Sequence, residues 1–424
     1  GALTTQNYDG DAYNVAVGHN AGTNVTTGTN NTLIGGLAGD ALTTGISNIA
    51  VGYGSLSTET EHGKNVAIGY FSLLNQNAGA DAYNVAVGYN AGLSVSTGIK
   101  NTLIGGQAGD ALTTGSYNVA VGSEALSTED GHGANVAIGY RSLKALNAGA
   151  EGYNVAIGYE AGKSVSTGTN NTIIGGLAGD ALTTGADNVA IGWAALSTED
   201  TGGRNTAIGK GALNLLDAGA DGYNVAVGFN SGVAMTTGIK NTLIGGLTGD
   251  ALTTGAGNVA LGYNALSTED TGGKNTAIGH ESLANLNFDG DAYNTAVGFN
   301  SGLSITTGTT NTLIGGLAGD ALTTGTANVA IGYGSLSAED EHGHNIAIGY
   351  HSLVSQNAGA NAYNVAIGSN AGAAVTTGVN NTLIGGSADL AGSNNTKTKY
   401  HNTIKPNNFN GNYVHYGVRE HAMS

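Results

Sequence analysis

The sequence has no cysteine, one proline and one tryptophan, and charged residues make up only 10% of its 424 positions. Without cysteine, a disulfide framework and a thiolate metal site are both excluded. Basic residues are scarce, 13 against 30 acidic ones, so the formal net charge is −17. Such a surface repels nucleic acid and anionic membranes, and we expect neither as a partner. No apolar run approaches the roughly 18 residues that a membrane-spanning helix needs.

Glycine is abundant, at 74 residues, but it does not fall at every third position as it does in collagen. The pentapeptide Asn-Val-Ala-Val-Gly at 14–18 recurs in similar form until Asn381, in 22 copies. Three successive steps between copies take about 17 residues each and the fourth takes about 19, so four coils form a larger unit of about 70 residues. A tyrosine marks the edge of each larger unit, at Tyr13, Tyr83, Tyr153, Tyr223, Tyr293 and Tyr363. A short fixed period predicts a stacked repeat architecture.

Each pentapeptide is predicted to be a short strand that ends at its glycine. Val15 and Val17 lie on one face of that strand, and Asn14 and Ala16 lie on the other, because side chains alternate along a strand. We expect the valines and their equivalents to form the core. The small alanines would then face outward, where another copy of the chain can approach closely.

A second apolar position follows each asparagine by seven to eleven residues, as at Val25, Leu42, Leu56 and Leu73. It predicts a flattened coil with two short strands, and no pattern in the repeat favours a helix. If the coils stack in parallel register, the asparagines form a ladder whose side-chain amides bond from coil to coil. The predicted fold is all-β, a parallel β-solenoid of about 22 coils. The fourth coil of each unit is two residues longer and predicts a protruding loop, first at 77–83.

Three local patterns suggest a ligand, and each has a simpler structural interpretation. Residues 158–164 fall one residue short of a phosphate-binding loop, and the other units do not repeat them. The recurring Gly-Gly-Leu-Ala-Gly-Asp, first at 35–40, misses the pattern of calcium-binding rolls and predicts a turn. Threonine pairs such as 26–27 would suit an ice-binding face, but every fourth coil lacks them.

Acidic residues cluster once per unit, in three units beside a histidine, as at 59–62, 129–132 and 339–344. Such groups can bind a divalent cation, but two of the five units have Thr-Gly-Gly there. We therefore expect a solvated corner and no metal site. Aromatic residues that directly follow the pentapeptide glycine predict a broken stripe along one edge, which either packs within the assembly or stacks on sugar rings of a glycan. No recurring Ser, His and carboxylate trio predicts catalytic residues.

The repeat resembles a known family. Asn-Val-Ala-Ile-Gly-Tyr-x-Ser-Leu, at 65–73 and 345–353, is similar to the head repeat of trimeric autotransporter adhesins. Residues 258–266 are similar to coils of phage tail fibres. This resemblance covers residues 14–386 and implies a left-handed parallel β-roll, three chains side by side and a role in attachment. The coils here are longer than those of adhesin heads, and the chain shows no coiled-coil stalk or membrane anchor.

The composition changes after Gly386. Ile384–Leu390 and Tyr416–Met423 closely resemble the pyrimidine-binding region of transketolase. In that family the glutamate equivalent to Glu420 contacts the aminopyrimidine of thiamine diphosphate, and the aspartate equivalent to Asp389 lies near that site. The rest of the enzyme is absent, and some 40 residues cannot bury a cofactor, so we expect Asp389 and Glu420 to be inert remnants and no cofactor to bind. Both halves share Asn-Thr-Leu-Ile-Gly-Gly at the junction, which indicates a mistaken join between two sequences rather than a true fusion.

The sequence thus predicts a β-solenoid domain at 1–386 and a transketolase-like fragment at 387–424 that does not fold independently. Residues 1–13 read as the end of a repeat unit, so we expect the true N-terminus to be missing. The predicted function is a non-enzymatic extracellular fibre or adhesin shaft on a cell surface or virion. We expect it to be a homotrimer that contacts a cell-surface receptor or glycan. The alternatives are a thiamine diphosphate enzyme related to transketolase and an ice-binding solenoid.

Overall fold

The computed structural model describes residues 1–390 and 392–398. Their regular structure consists of three-residue strands, and no helix occurs among them, as the sequence predicts. None of these residues therefore belongs to a helix that is long and apolar enough to cross a membrane. The chain divides into two compact parts, which we number unit 1, Gly1–Asn230, and unit 2, Ser231–Ser424. These two numbered units are distinct from the four-coil repeat units of about 70 residues, which carry no number.

Unit 1 contains thirteen strands: β1 (Val15–Val17), β2 (Thr32–Ile34), β3 (Ile49–Val51), β4 (Val66–Ile68), β5 (Val85–Val87), β6 (Thr102–Ile104), β7 (Val119–Val121), β8 (Val136–Ile138), β9 (Val155–Ile157), β10 (Thr172–Ile174), β11 (Val189–Ile191), β12 (Thr206–Ile208) and β13 (Val225–Val227). The described part of unit 2 contains ten: β14 (Thr242–Ile244), β15 (Val259–Leu261), β16 (Thr276–Ile278), β17 (Thr295–Val297), β18 (Thr312–Ile314), β19 (Val329–Ile331), β20 (Ile346–Ile348), β21 (Val365–Ile367), β22 (Thr382–Ile384) and β23 (Thr396–Thr398).

Within each unit, every strand pairs in parallel with the next strand along the chain. In unit 1, Val15, Ala16 and Val17 of β1 lie opposite Thr32, Leu33 and Ile34 of β2, and the same register continues to β13. In unit 2 it runs from β14 to β23. The predicted parallel β-solenoid is confirmed, and its coils take about 17 residues each, as between Asn171 and Asn188.

The predicted inward and outward faces of the strand are wrong. The central residue is the buried one in β2 to β22, as with Leu33 and Ala50, whereas the first and third residues are half-buried or exposed. Val17 keeps 59% of its surface exposed. The prediction placed the valines in the core and the face shared by the asparagine and the alanine outside, but the asparagine lies inside and brings the central residue, two positions later, to the same inner face. The alanines are therefore core residues and offer no outer surface to another chain.

The buried asparagines form the ladder that the sequence predicts. Oδ1 of Asn171 accepts a hydrogen bond from the main-chain N–H of Asn188, at 3.0 Å. Its Nδ2 donates to the carbonyl oxygen of Gly185 at 2.9 Å and to Oδ1 of Asn154 at 3.2 Å. The principal hydrogen bond between successive coils thus joins an asparagine side chain to the main chain of the next coil, rather than joining two side-chain amides. Each asparagine satisfies backbone groups that would otherwise be buried without partners, which makes its own burial favourable.

The second apolar strip is buried as predicted, but it is not a strand. Leu56 and Leu73 are fully buried and have φ angles of 51° and 48°, so their backbone is in a turn and not extended. The main-chain N–H of Leu56 still donates to the carbonyl oxygen of Ser72 in the next coil, at 3.0 Å. The prediction of two strands per coil is wrong because tight turns deliver these leucines to the core.

The strand-terminal glycines also form a ladder. Gly175 has a φ of 136°, a backbone conformation that L side chains rarely adopt. A Cβ at this position would collide with the carbonyl oxygen of Gly192 in the next coil. The absence of a side chain therefore lets the chain turn at this corner while successive coils remain in contact.

The first part of the predicted transketolase-like fragment continues the stack. β23 pairs with β22, and the main-chain N–H of Asn395 donates to Oδ1 of Asn381 at 2.9 Å. Ala388 is fully buried, like the core alanines of the repeats. One more coil is thus added to the coil of β22, beyond the last copy of the repeat, and the proposed domain boundary at 386 remains a prediction.

We predict that Asn171→Ala destabilises the stack locally. The change leaves the N–H of Asn188 and the carbonyl of Gly185 without their partner, and an unsatisfied buried group costs about 1–3 kcal/mol. Amide hydrogen exchange of Asn188 should become faster, and the denaturant midpoint of unfolding should fall. The control is Thr167→Ala at an exposed position. Unchanged protection of Asn188 would contradict the role of the ladder.

Candidate interaction surface

In each unit, the first and third residues of the repeat strands, β1 to β13 in unit 1 and β14 to β22 in unit 2, form an outward surface that we call the apolar face. The third residue is valine, isoleucine or leucine in all 22 strands, and the first is valine, isoleucine or threonine. None of these positions carries a charge. Ile104, Ile138 and Leu261 are 38%, 36% and 44% exposed. An apolar row repeated in every coil is much more than the scattered exposed residues of an ordinary surface.

The predicted aromatic stripe is confirmed and lies just beyond the glycine corner. We call it the aromatic row: Tyr53, Tyr70, Tyr89, Tyr140, Tyr159, Trp193, Phe229, Tyr263, Phe299, Tyr333 and Tyr350, all exposed. Neighbouring rings stack along the row, with centroids 5.7 Å apart for both Tyr53–Tyr70 and Tyr70–Tyr89. The second coil of each unit interrupts the row with a glycine, such as Gly106 or Gly176. Rings of the row that lie in successive coils therefore cover each other's faces. A ring beside a glycine coil has one face that no stacked ring of the row covers.

The unit-marking tyrosines lie on the other side of the apolar face, directly before the ladder asparagines. They are 49 to 73% exposed, at Tyr13, Tyr83, Tyr153, Tyr223, Tyr293 and Tyr363. The preceding coil places a cation against some of them. Nζ of Lys64 lies 3.0 Å from the hydroxyl of Tyr83 and 2.7 Å from Asp81, and Lys274 repeats the contact with Tyr293 and Asp291. These contacts join successive coils at the surface.

The acidic corners differ from their prediction. One glutamate per unit, Glu59, Glu129, Glu199, Glu269 or Glu339, is fully buried rather than solvated. Glu199 shows why: Oε1 accepts from the N–H of Gly202 at 2.7 Å, and Oε2 accepts from the N–H of Ala218 in the longer fourth coil at 3.1 Å. The glutamate thus holds the extra loop to the coil before it. Sequence spacing alone missed this role because Ala218 is distant along the chain and carries no distinctive side chain.

Three corners bring ligand-type side chains together. Glu129, Asp130 and His132 form one group, Glu339, Asp340 and His342 a second, and Glu199, Asp200 and Asp217 a third. Nδ1 of His132 lies 3.4 Å from Oε1 of Glu129. The carboxylates already accept backbone hydrogen bonds in each of these groups, for example from the N–H of His132. The absence of a metal site remains a prediction.

Burial raises the pKa of several carboxyls in the described part of the chain. Desolvation is the main cause for Glu59, Glu199, Glu269 and Glu339, and the backbone N–H donors oppose it only in part. Desolvation likewise raises the pKa of an aspartate in the turn after the glycine coil's corner in four of the repeat units, at Asp110, Asp180, Asp250 and Asp320. Eight carboxyls, each in a different coil, thus lie in surroundings that disfavour their charged form.

The segment that resembles a phosphate-binding loop has an ordinary place in the coil. Residues 158–164 form the corner and turn after β9, and no helix follows them. Nζ of Lys163 pairs with Glu160 at 2.8 Å and with Asp180 at 3.6 Å. A phosphate-binding loop needs a helix N-terminus behind it and a lysine directed at the phosphates, and neither is found here.

Asp389, predicted to be a remnant of a thiamine diphosphate site, takes part in the stack. Its Oδ2 accepts a hydrogen bond from the main-chain N–H of Ala374 at 2.9 Å. In earlier coils a main-chain carbonyl oxygen accepts the equivalent hydrogen bond. The carbonyl oxygen of Asp250, for example, accepts from the N–H of Ala234 at 3.2 Å. Glu420, the other predicted remnant, lies outside the described residues.

Comparison with known proteins finds a likeness over a short segment. No protein-family model matches the chain. A segment is similar to transketolase. It is 54% identical over 50 residues to transketolase of Sinorhizobium medicae, which is 12% of this chain and 7% of that protein. Transketolases of Cereibacter sphaeroides and Rhodobacter capsulatus are 54% and 58% identical over 41 residues, 10% of this chain and 6% of each relative. The chain thus spans less than a tenth of the length of these relatives, which supports the predicted fragment but not a whole enzyme.

We predict that the protein is more stable in mild acid than at neutral pH. These eight carboxyls have raised pKa values in the folded state, so the folded state binds protons more tightly than the unfolded state does. Stability should therefore rise as pH falls through these raised values, and the gain is complete below the ordinary values of 4.5 and 3.8. Asp81 and Glu124, whose pKa values are lowered by bonds to Lys64 and Lys144, act oppositely, but solvent screens them.

Denaturant midpoints of unfolding, measured from neutral pH down to the ordinary carboxyl pKa values of 4.5 and 3.8, test the prediction. Glu199→Gln should weaken the pH dependence, since it removes one of the contributing carboxyls. A midpoint that falls steadily from neutral pH into this window would contradict it.

Proposed function

We propose that the chain is a non-enzymatic, extracellular fibre or adhesin shaft that works as a homotrimer. The observation that carries the proposal is the apolar face, which places an uncharged row of Val, Ile and Leu on the outside of every repeat coil. An exposed apolar surface of this extent favours association, because burying it removes apolar area from water.

A second copy of the same chain is the best occupant for this face. Its coils have the same length and spacing, so its rows of β-branched residues match along the whole contact. The face itself has no charge, so two chains of net charge −17 can meet there without placing like charges directly opposite each other. The contact thus involves the isoleucines and valines rather than the alanines.

Three chains, a left-handed coil and a role in attachment come from the resemblance to trimeric autotransporter heads and phage fibres. The stack supports a structural role in its own way. Its buried polar groups, such as Asn171 and Glu199, bond to backbone groups of neighbouring coils. These hydrogen bonds hold successive coils together. A shaft on a cell surface or virion requires such cohesion between its coils.

A second candidate, an enzyme related to transketolase, is favoured by the similarity of one short segment. Asp389 counts against it, because its carboxylate accepts a hydrogen bond from Ala374 within the stack. We predict that titration of the full chain with thiamine diphosphate and Mg²⁺ gives no saturable heat, and that Asp389→Asn changes nothing in that assay. Saturable binding that is lost in Asp389→Asn would instead support the enzyme.

We predict that Ile104→Asp combined with Ile138→Asp prevents assembly without unfolding the coil. Both side chains are exposed on the apolar face of unit 1, so the single chain tolerates a charge, but an interface would have to bury it without a partner. Size-exclusion chromatography with light scattering should show the mass falling to that of one chain, 41.8 kDa, while the circular dichroism spectrum is retained.

The matched control is Thr97→Asp combined with Thr167→Asp, which adds the same charge at exposed turn positions away from the apolar face. These changes should leave the mass unaltered. If both pairs behave alike, the apolar face is not the interface.

A further inference from the structure

The glycine coils of the aromatic row leave gaps between exposed aromatic rings. In unit 1, Gly176 lies between Tyr159 and Trp193 in successive coils: the N–H of Leu177 donates to Tyr159, and that of Ala194 donates to Gly176, at 2.9 and 3.0 Å. In unit 2, Gly316 lies in the same way between Phe299 and Tyr333. We call these two places the notches.

Each notch has one aromatic ring on either side, and the outer face of each ring is already covered. Tyr159 stacks on Tyr140 at 5.6 Å, and Nζ of Lys210 lies over Trp193, 5.5 Å from the ring centroid. In the other notch, Phe299 stacks on His280 at 5.5 Å and Tyr333 on Tyr350 at 5.9 Å. The remaining face of each ring is directed towards the glycine. All four of these rings are more than half exposed.

We propose that each notch binds one neutral hexopyranose ring of a glycan between its two aromatic faces. Two coil steps of about 4.8 Å place the walls roughly 9.6 Å apart. One inserted ring needs two carbon contacts of about 3.5–4.0 Å each, and two stacked rings would need three, which exceeds the gap. The ring of Trp193 is tilted towards Gly176, since its Cδ1 would lie 3.5 Å from a Cβ added to that glycine. This tilt takes up part of the gap that the inserted sugar ring leaves between the walls.

The surroundings favour a neutral sugar over other ring-shaped ligands. A pyranose presents C–H groups to the ring faces and hydroxyls at its edge, where the indole N–H of Trp193 and the hydroxyl of Tyr159 or Tyr333 can bond them. Lys210 is on the far face of Trp193, and the chain carries a net charge of −17, so anionic sugars are repelled. This inference rests on the proposed attachment function and specifies the receptor chemistry.

The notch lies past the glycine corner that ends the apolar face. Gly175, with its φ of 136°, and Gly192, with 132°, turn the chain between the outward Ile174 or Ile191 and the notch residues. The notch is thus on an adjoining edge of the coil, and assembly through the apolar face and sugar binding are separate events.

Trp193 provides a direct probe, because it is the single tryptophan of the chain. Cellotriose, maltotriose and tri-N-acetylchitotriose are titrated into the full-length protein while its tryptophan fluorescence is recorded. We expect at least one to give a saturable change, with an affinity of roughly millimolar, as suits a single stacked ring. No saturable change with any of the three would overturn the proposal.

Gly176→Leu fills the notch without backbone strain, since Gly176 is not among the positive-φ glycines and a Cβ there makes ordinary contacts. It should abolish the sugar response. Its matched control is Gly106→Leu, where one neighbour in the row is Ser123 instead of an aromatic ring and a Cβ meets nothing within 4 Å. This control should respond like the original protein, and loss of the response in both variants, or in neither, would overturn the proposal.

A gain of binding gives an independent test. Ser123→Tyr supplies the missing wall beside Gly106, opposite Tyr89, and should add one site per chain when bound sugar is counted by equilibrium dialysis. An unchanged count contradicts the proposal. Oligomeric mass is measured in parallel, so an original protein that is trimeric but binds no sugar rejects the notch alone, whereas a monomer that still binds sugar rejects the proposed assembly alone. A fluorescence change that follows protein concentration without sugar would assign the notch to a second copy instead.

Discussion

The hydrogen bond from a main-chain N–H to the asparagine side chain of the preceding coil is the contact on which the rest of the structure depends. It occurs between Asn171 and Asn188 at 3.0 Å and recurs up to Asn395. Because the side chain points inward, it fixes which face of each strand is the inner one. It also aligns successive coils whether they have the shorter or the longer length, as from Asn188 to Asn205 and from Asn205 to Asn224. The outward position of valine and isoleucine follows from it.

Equal stacking converts each repeated residue into a row, and the rows differ in what they can do. The Asn, Ala and Leu rows fill the interior, and the glycine row allows the corner. The Val and Ile rows remain outside and favour a second copy of the chain. The aromatic row changes with the larger unit of four coils, so it carries the features that occur only once in that unit. The proposed assembly and the proposed sugar binding thus depend on residues that repeat with different periods in the same sequence.

The sequence was sufficient to predict the parallel coil, its length, the lack of helices among residues 1–390 and 392–398, the asparagine ladder and the aromatic row, because each follows from a period repeated many times. It was insufficient for the orientation of the strand, since Val15 and Ala16 obey the same alternation whichever face is inside. The burial of Glu199 was also missed, because its partner is a backbone N–H of Ala218 with no side-chain signature. Leu56 was taken for a strand residue because burial alone does not reveal a positive φ.

The inward asparagine leaves the apolar face on the outside of the coil, and the proposed assembly of the chain uses that face. Sedimentation equilibrium of the unmodified chain tests this most directly. Three chains of 41.8 kDa predict a particle of about 125 kDa that persists on dilution. A single species of 41.8 kDa at every concentration, with the coil intact by circular dichroism, would contradict it.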